Sequence, residues 1–356
     1  MITNTEKRIF DVIEITNEMP FNRVGGVGTV IENLMSGFKK LNLDVLWYIS
    51  SHQYSAPEQQ KILRNYENVV FGNHEELKKF SARVIHIHSY TGTKELVRCV
   101  RDCKTVFTIH SLLVYEEKSN DAVLHEAVKW QEELLSSVDC VVLASKAELN
   151  YYKQLGYDHF NSRVHIIPKG LSRPHPRLYR RERTGNLGYC GRLVPRKRPE
   201  YPQMILREKR FDNFNTLLAG KGFSIYSRNL LNQMNLENRV FYLGWCAGAR
   251  LDSFYDNIDV LCIPSVYEPF GMVALEAASR KIPVVCSNID GLKDIMGNHA
   301  IYCKPGDYEH FKEAMYRWLD SDQTLEQMVE GAHQRYLKYF TDLNMASNYS
   351  KLFNSF

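Results

Sequence analysis

The stretch from residue 264 to residue 291 decides how this chain folds, and its sequence is P-S-V-Y-E-P-F-G-M-V-A-L-E-A-A-S-R-K-I-P-V-V-C-S-N-I-D-G. The apolar residues Val260–Ile263 just before it predict a buried strand, and residues 283–286 predict the next one. Between the two strands, Pro264, Pro269 and Gly271 indicate a loop, and Met272–Ser279 is typical of a helix. This order of strand, loop, helix and strand favours an α/β fold.

Two acidic residues lie in this unit, Glu268 in the loop and Glu276 in the helix. Helical side chains tilt toward the N-terminus, so Glu276 leans toward the loop that carries Glu268. The free amides at the start of the helix, near Gly271 and Met272, form an anion site that can hold a phosphate. Two carboxylates that accept from hydroxyl groups beside such a site suit a sugar nucleotide. The alternative is that Glu276 is an ordinary acid in the early turns of a helix.

Composition excludes several classes of protein. A chain of 356 residues is too long for one core of ordinary size, so two domains are expected. A net charge of +4 is too small to favour nucleic acid as the main partner. No apolar run approaches the roughly 20 residues that span a bilayer, and no signal peptide is visible, which predicts a cytoplasmic protein. The eight cysteines form no C-x-x-C pair, which favours buried, reduced thiols over disulfides or zinc.

A glycine loop follows the first predicted strand, at residues 8–16, and precedes a helix predicted over residues 29–40. Gly25, Gly26 and Gly28 can present backbone amides to a ligand, or they serve a tight turn that needs positive φ. A dinucleotide fingerprint fits poorly, because Ile31 stands where a third small residue is required. Residues 52–80 are polar and helix-prone and carry no motif.

Three histidines follow in two predicted strands. His86 and His88 share one face of the strand at residues 84–88, a spacing that can bind a metal. No third ligand is evident, so polar positions at the end of a sheet are favoured. His110 ends the strand at residues 105–110, at the carboxyl edge where open α/β sheets bind ligands. The alternative for His110 is a structural role with its hydrogen bonds satisfied.

The second half of the chain begins a new alternation of strands and helices at residue 186, after a linker at residues 171–184 that holds two prolines and several arginines. The segment G-R-L-V-P-R-K-R-P follows, whose cations include Arg192 and Lys197, and fixed cations of this kind can stabilise a negatively charged group. A solvated basic turn is the alternative, and Arg196 and Arg198 are interpreted as surface charge. Residues from 307 onward are predicted to be helical to the end.

These motifs resemble those of the family 4 glycosyltransferases, retaining enzymes with the GT-B fold. The resemblance rests on E-P-F-G-M-V-A-L-E as the E-x7-E signature and on G-R-L-x-x-x-K. It implies an α/β architecture of two Rossmann-like domains that face each other across a cleft. Residues 1–170 would form the acceptor-side domain and residues 185–342 the nucleotide-sugar domain. The C-terminal helix, residues 343–356, would cross back to the first domain.

The resemblance also implies roles for single residues. Glu268 would hold the hydroxyls of the transferred sugar, Glu276 the ribose, and Arg192 and Lys197 the diphosphate. His110 would lie beside the anomeric centre, since T-I-H-S is similar to the T-I-H-N of glycogen synthases. The remaining donor-binding candidates act through the backbone or close the loop: Gly25, Gly26, Gly28, Leu243, Gly244, Pro269, Phe270, Gly271, Met272 and Val273. The sequence departs from the family at Lys169, Ser172 and Asp290, which puts ligand contacts there in doubt.

The expected activity is transfer of a hexosyl or N-acetylhexosaminyl group, with retention, from a nucleotide sugar to a hydroxyl acceptor such as a glycan, glycolipid or small molecule. A UDP sugar is the first expectation and a GDP sugar the next. The alternatives are a catalytically silent nucleotide-sugar-binding protein and an epimerase or phosphorylase on the same fold. No cofactor or metal is expected, because Arg192, Lys197 and a helix N-terminus supply the positive charge. The arginine-rich linker leaves contact with an anionic membrane surface as a weaker alternative.

Overall fold

The computed structural model describes residues 8–20, 26–50, 54–72, 74–89, 103–118, 125–160, 163–172, 182–222 and 238–356. The chain divides into two compact units. The first comprises Met1–Glu117, Ala122–Ser172 and Thr341–Phe356, and the second comprises Lys118–Asp121 and Arg173–Phe340. Each unit contains one parallel sheet with helices. The prediction of two Rossmann-like α/β domains is therefore confirmed.

The sheet of the first unit has seven strands in the order β3-β2-β1-β4-β5-β6-β7. All of its described pairings are parallel. The strands are β1 (Ile9–Thr16), β2 (Val45–Ser50), β3 (Val69–Gly72), β4 (Ser81–Ile87), β5 (Lys104–Thr108), β6 (Cys140–Leu143) and β7 (Val164–Ile166). The helices of this unit are Gly26–Lys40, Ala56–Asn65, His74–Leu77, Leu113–Lys118, His125–Leu135, Lys146–Gln154 and Asp342–Phe353.

Strand β3 corrects the interpretation of residues 52–80 as helix-prone throughout. Only the first residue of this strand, Val69, is buried, and the other three are partly exposed. An edge strand of four residues that buries one side chain leaves little hydrophobic pattern, so it is hard to recognise from sequence. Its place is fixed by pairing with β2, in which Trp47 lies opposite Val69.

The core of the first unit lies between its sheet and helices, and is built from the apolar strand residues, including Ile13, Ile85 and Phe107. Two polar side chains interrupt these apolar runs. Glu14 on β1 and His86 on β4 are both fully buried, and they are register partners across the sheet. Charged groups in a core require partners, so these two positions mark a polar network inside the sheet.

The sheet of the second unit has six strands in the order β10-β9-β8-β11-β12-β13, and its described pairings are parallel. The strands are β8 (Asn186–Cys190), β9 (Asn215–Ala219), β10 (Val240–Gly244), β11 (Val260–Ile263), β12 (Val284–Ser287) and β13 (Ile301–Cys303). The helices are Tyr201–Met204, Ala249–Asp256, Met272–Ser279, Asp290–Met296, Tyr308–Asp320 and Asp322–Tyr339. The bounds predicted for β11 and for the helix at Met272–Ser279 are confirmed.

The prediction that residues from 307 onward are helical is confirmed, and the structure divides them into three helices, the last of which begins near the predicted residue 343. Asp307 caps the first by accepting from the amide of His310. The second ends at Tyr339, and Thr341 caps the third by accepting from the amide of Asn344. Each cap fixes the residue at which a helix begins. The spacing of apolar residues continues across the breaks between helices and therefore does not reveal them.

The last helix, Asp342–Phe353, is part of the first unit and packs against the helix Gly26–Lys40. The Asp342 carboxylate accepts from the Ser36 hydroxyl at 2.6 Å and pairs with the Lys40 ammonium. A Cβ on Gly37 would stand 2.6 Å from the Cβ of Ala346, so glycine permits this close approach. Among the described helices of both units, none is long and apolar enough to span a bilayer.

Candidate functional site

In each unit the strand order reverses beside the strand that comes first in the sequence, which is β1 in the first unit and β8 in the second. In the second unit β8 has β9 on one side and β11 on the other. Ligands of open α/β sheets bind at the carboxyl ends of strands where the order reverses. Strand β8 leads into Gly191 and Arg192, and β11 leads into the loop that carries Glu268. The fold therefore brings the two predicted motifs to one edge of one sheet.

A pair of glycines lets two turns approach closely at this edge. Gly220 has a φ of 150°, and a Cβ there would overlap the carbonyl oxygen of Gly191. Gly191 has a φ of 147°, and a Cβ on it would meet the Lys197 side chain at 3.6 Å. Close backbone contact thus requires glycine at residue 220, and the positive φ favours glycine at residue 191. The Arg192 side chain is exposed, and the carbonyl oxygen of Arg192 accepts from the Tyr189 hydroxyl at 2.8 Å.

Lys197 and Glu268 form a direct ion pair. The Lys197 ammonium donates to Glu268 Oε2 at 2.6 Å, and the two side chains are only 14% and 12% exposed. Lys197 ends a short 3-10 helix, Pro195–Lys197, that follows β8. This low exposure limits solvent screening, so the pair is stronger than one on the surface. The structure therefore joins the two motifs through the residues that the sequence analysis selected.

Arg196 is not a surface charge, and that interpretation was wrong. Its side chain is 4% exposed, its guanidinium donates to the carbonyl of Tyr267 at 3.1 Å, and it lies over the Tyr267 ring at 5.6 Å. The amide of Val266 in turn donates to the Arg196 carbonyl at 2.8 Å. Arg196 therefore fastens the turn after β8 to the loop after β11, immediately before Glu268.

The loop continues into the N-terminus of the helix Met272–Ser279. Pro269 and Phe270 are buried, and Gly271 caps the helix with a φ of 92°. The first amides of a helix have no acceptor within that helix, so those of Met272 and Val273 point toward the loop side. Both residues are partly exposed. A helix N-terminus with available amides favours phosphate.

Glu276 is 8% exposed and accepts from the Tyr255 hydroxyl at 2.6 Å. Tyr255 is fully buried, and burial together with the Glu276 charge raises its pKa well above the ordinary value. The phenol is therefore a donor that orients the carboxylate. Sequence reasoning missed Tyr255, because a tyrosine in the helix Ala249–Asp256 gives no motif that links it to a residue 21 positions later.

The predicted donor-binding residues Leu243 and Gly244 accept hydrogen bonds through their backbone carbonyls. The carbonyl of Leu243 accepts from the Arg250 guanidinium at 2.9 Å, and that of Gly244 accepts from the amide of Gly220 at 2.8 Å. These contacts hold the end of β10 against the glycine turn after β9. Near the other end of the site, a Cβ on Gly291 would overlap the carbonyl oxygen of Glu268. Glycine is therefore required next to Asp290, where the sequence departs from the family pattern.

In the first unit, the glycine loop is described only in part, and Gly25 lies outside the described residues. Gly26 begins the helix Gly26–Lys40, and a Cβ on it would meet nothing within 4 Å. The amide of Gly28 donates to Glu18 Oε2 at 2.9 Å. A carboxylate thus occupies a position at this helix N-terminus that suits an anion.

The two strand histidines have a partner that the sequence analysis did not place. Glu14 accepts from His86 Nδ1 at 2.9 Å and from His88 Nε2 at 2.7 Å. Their ligand atoms lie within 4.8 Å of one another, so the expectation that no third metal ligand lies nearby was wrong. Each ring nitrogen is nevertheless engaged, since His86 Nε2 bonds Thr108 Oγ1 at 2.7 Å and His88 Nδ1 bonds His110 Nε2 at 3.0 Å. The signal was an acid within the apolar strand I-F-D-V-I-E-I-T, which requires a buried partner.

His110 lies just beyond the carboxyl end of β5, as predicted. Its Nε2 bonds His88, while its Nδ1 is buried without a hydrogen-bond partner among the described residues. A buried polar atom left unpaired costs about 1–3 kcal/mol, so it calls for a functional explanation. Burial, and then the charge of Lys169, lower the pKa of His110 well below its ordinary value. His110 is therefore neutral near pH 7.

The substituted positions after β7 carry structural contacts. Lys169 is 8% exposed and donates to the carbonyl of His110 at 3.3 Å. Ser172 donates to Asn33 Oδ1 and to Asp342, which ties the end of the stretch Ala122–Ser172 to the helix Gly26–Lys40 and to the last helix. Glu148 is buried near Lys169, and burial raises its pKa, an effect that the Lys169 charge and the Ala144 amide oppose.

Two further features bear on metal and redox chemistry. Seven cysteines lie in the described residues, and all seven are unpaired thiols, most of them buried, as predicted.

Aspartate pairs of the type D-x-D commonly hold a metal on a sugar nucleotide, and the chain contains one such triplet at residues 320–322. It lies between two helices rather than at the end of a strand, and Asp320 pairs with Arg210.

Two family models match this chain and together cover most of it. The model described as Glycosyltransferase Family 4 matches residues 24–173, and the model described as Glycosyl transferases group 1 matches residues 175–335. The chain belongs to this family of glycosyltransferases.

Curated relatives match parts of the chain. An uncharacterized glycosyltransferase of Methanocaldococcus jannaschii is 39% identical over 114 residues, which is 30% of this chain and 28% of that protein. Glycogen synthase of Mycobacterium tuberculosis is 32% identical over 181 residues, which is 48% of this chain and 44% of that protein. Both matches thus span less than half the length of these relatives.

A solved structure matches nearly the whole chain. The Anabaena HepE protein, solved in complex with UDP and glucose, has a TM-score of 0.76 at 14% identity. The alignment covers 98% of this chain and 100% of HepE. Identity at this level shows the fold, which is the predicted GT-B architecture of two Rossmann-like domains.

Proposed function

We propose that this protein is a retaining glycosyltransferase that moves a hexosyl or N-acetylhexosaminyl group from a nucleotide sugar to a hydroxyl acceptor. The observation that carries the proposal is the Lys197–Glu268 pair, which joins the two family motifs at 2.6 Å beside the N-terminus of the helix Met272–Ser279. A cation, a carboxylate and free helix amides in one place match the diphosphate and hydroxyl groups of a nucleotide sugar.

The second unit binds the donor in this proposal. Lys197 and Arg192 take the diphosphate, with the amides of Met272 and Val273. Glu268 accepts from hydroxyls of the transferred sugar, and Glu276, oriented by Tyr255, accepts from the ribose. UDP is the first nucleotide to test, since HepE, which shares the fold, was solved with UDP and glucose.

The proposed reaction depends on stabilising the negative charge of the departing diphosphate. Bond cleavage at the anomeric carbon leaves negative charge on the departing diphosphate, and fixed cations stabilise that charge as it forms. In the family mechanism the acceptor attacks on the face that the leaving group vacates, and a phosphate oxygen takes the proton of the acceptor. No strong enzymatic base is then required. The same cations perform the charge neutralisation that a divalent metal supplies elsewhere, so we propose that transfer needs no metal.

A thermal-shift panel tests this function. The purified chain is heated with UDP-, GDP- and ADP-sugars, and separately with the free nucleoside diphosphates, each at about 100 times the dissociation constant of a typical donor. Binding to the folded state alone stabilises by about 2.7 kcal/mol at that ratio, which raises the melting temperature by several degrees. One nucleotide series is expected to stabilise wild type and to stabilise Glu276→Ala less, because Glu276 is assigned to the ribose. If no nucleotide shifts the wild-type transition, the donor site does not exist.

A further inference from the structure

A continuous chain of hydrogen bonds runs through the first unit and ends at His110. Glu14 accepts from His88 Nε2 at 2.7 Å, and His88 Nδ1 bonds His110 Nε2 at 3.0 Å. Glu14, on β1, is fully buried, and His88, after β4, is 5% exposed. The His88 and His110 rings stack with their centroids 5.2 Å apart. Glu14 thus lies on β1, and His88 and His110 lie just beyond the ends of the neighbouring strands β4 and β5.

The protonation of this chain follows from its chemistry. An ionised carboxylate only accepts, so His88 donates to Glu14 from Nε2. A neutral imidazole that donates from one nitrogen accepts at the other, so His88 Nδ1 accepts from His110 Nε2. The proton of neutral His110 is then on Nε2, and its Nδ1 carries a lone pair that has no partner among the described residues.

We propose that Glu14 and His88 are positioning residues that fix His110 in the Nε2-protonated tautomer, so that Nδ1 accepts a hydrogen bond from a hydroxyl group of a ligand. This inference rests on the proposed function, which provides hydroxyls on both the transferred sugar and the acceptor. Lys169 supports the arrangement, because it donates to the His110 carbonyl and its charge disfavours an imidazolium. In this proposal His110 Nδ1 accepts a hydrogen bond from the ligand. A proton on Nδ1 would make this nitrogen a donor and prevent that bond.

The tautomers are measured directly by nitrogen NMR. The full chain labelled with ¹⁵N-histidine is recorded at pH 7, and His110→Gln and His88→Asn assign the two signals. We expect both His88 and His110 to carry their proton on Nε2, and His86, which donates to Glu14 from Nδ1, to carry one on Nδ1. A proton on Nδ1 of His110 overturns the inference. This readout requires no activity, so it tests the inference independently of the proposed function.

Substitutions at His88 test the positioning role. His88→Leu removes the acceptor that faces His110, and its turnover of UDP-glucose is expected to fall about tenfold or more. In His88→Asn the amide oxygen stands where Nδ1 stood, and most of the turnover returns. Thr108→Val is the control, because it removes the bonds of Thr108 to His86 Nε2 and to the Tyr349 hydroxyl and leaves Glu14, His88 and His110 joined. Equal losses in the leucine and asparagine variants indicate a structural role alone and contradict the proposal.

Calorimetry of His110→Gln separates the two sources of the hydroxyl. If the hydroxyl belongs to the transferred sugar, affinity for UDP-glucose falls and affinity for UDP does not. If it belongs to the acceptor, both affinities are unchanged while turnover falls. Unchanged affinities with unchanged turnover overturn the inference. If the wild-type protein shows no turnover, the proposed function is wrong. The NMR measurement of the His110 tautomer still tests whether Glu14 and His88 position His110.

Discussion

The Lys197 ammonium and the Glu268 carboxylate lie 2.6 Å apart, although the two residues are 71 positions apart in the chain. The pair joins the turn after β8 to the loop after β11, and each side chain is held in place before any ligand arrives. Electrostatic groups that are fixed in advance stabilise charge without the cost of reorganisation. The pairing thus accounts for why both motifs occur together in one domain.

Lys197→Ala should lose turnover more than donor affinity, because the charge on the leaving group grows toward the transition state. Loss of one such donor costs about 100-fold or more in turnover. The measurement is steady-state kinetics with UDP-glucose, together with calorimetry of UDP. Lys312→Ala, which removes a cation of the second unit paired with Glu309, is the control. Turnover in Lys197→Ala within about twofold of wild type would remove Lys197 from the mechanism.

Substitutions of Glu268 and Glu276 should weaken the binding of different ligands. Glu276→Ala is expected to weaken binding of free UDP, and Glu268→Ala to weaken binding of UDP-glucose while leaving UDP nearly unchanged. A hydrogen bond to a charged acceptor is worth about 1.5–3 kcal/mol, which calorimetry resolves. If both variants lose the same affinity for both ligands, the assignment of ribose to Glu276 and sugar to Glu268 is wrong.

Tyr255→Phe tests whether the buried phenol orients Glu276. The variant keeps the ring and removes the 2.6 Å hydrogen bond, so UDP affinity should fall by up to about tenfold. Tyr316→Phe is a matched control, since Tyr316 also donates to a glutamate of the second unit, Glu208, at 2.8 Å. A loss of equal size in both variants would show an effect on folding rather than on the ribose site.

The histidine network predicts a pH dependence of stability. Burial, and then the neighbouring His86, lower the pKa of His88 from 6.5 to about 4. Between these values the unfolded chain binds more protons than the folded one, so stability rises with pH and falls on acidification. The charged and titratable groups that face His88 are Glu14, His86, His110 and Lys169.

We expect the free energy of unfolding to decrease by up to about 3 kcal/mol from His88 alone as pH falls from 6.5 to 4. Urea unfolding at a series of pH values measures this. His88→Leu should flatten the dependence, and His165→Leu, at an exposed position, should not. A slope in His88→Leu equal to that of wild type would contradict the network.

Local patterns predicted the elements that position the donor site. The apolar run of β11 and the helix at Met272–Ser279 were predicted with their observed bounds, because a continuous apolar strand and a loop with proline and glycine leave few alternatives. The edge strand β3 was missed because it buries one residue. The break near Ser321 was missed because a helix end is a local feature while the apolar spacing continues across it.

Contacts between residues distant in sequence were beyond prediction. Arg196 was interpreted as surface charge, yet it is buried against Tyr267, because nothing in a basic segment distinguishes the arginine that turns inward. The strand histidines were recognised and Glu14 was not, because only the sheet register brings Glu14 opposite His86. Residue chemistry therefore selected candidates, and the fold decided their partners.

The most direct test of the central claim is proton NMR of UDP-glucose incubated with the purified chain after exhaustive chelation of divalent metals. The account predicts release of UDP and, before mutarotation, a sugar or glycoside whose anomeric proton keeps the α configuration. The rate should be unchanged by added magnesium or manganese and reduced about 100-fold or more in Lys197→Ala. Release that appears only after a metal is returned, or a product of inverted configuration, would contradict the account.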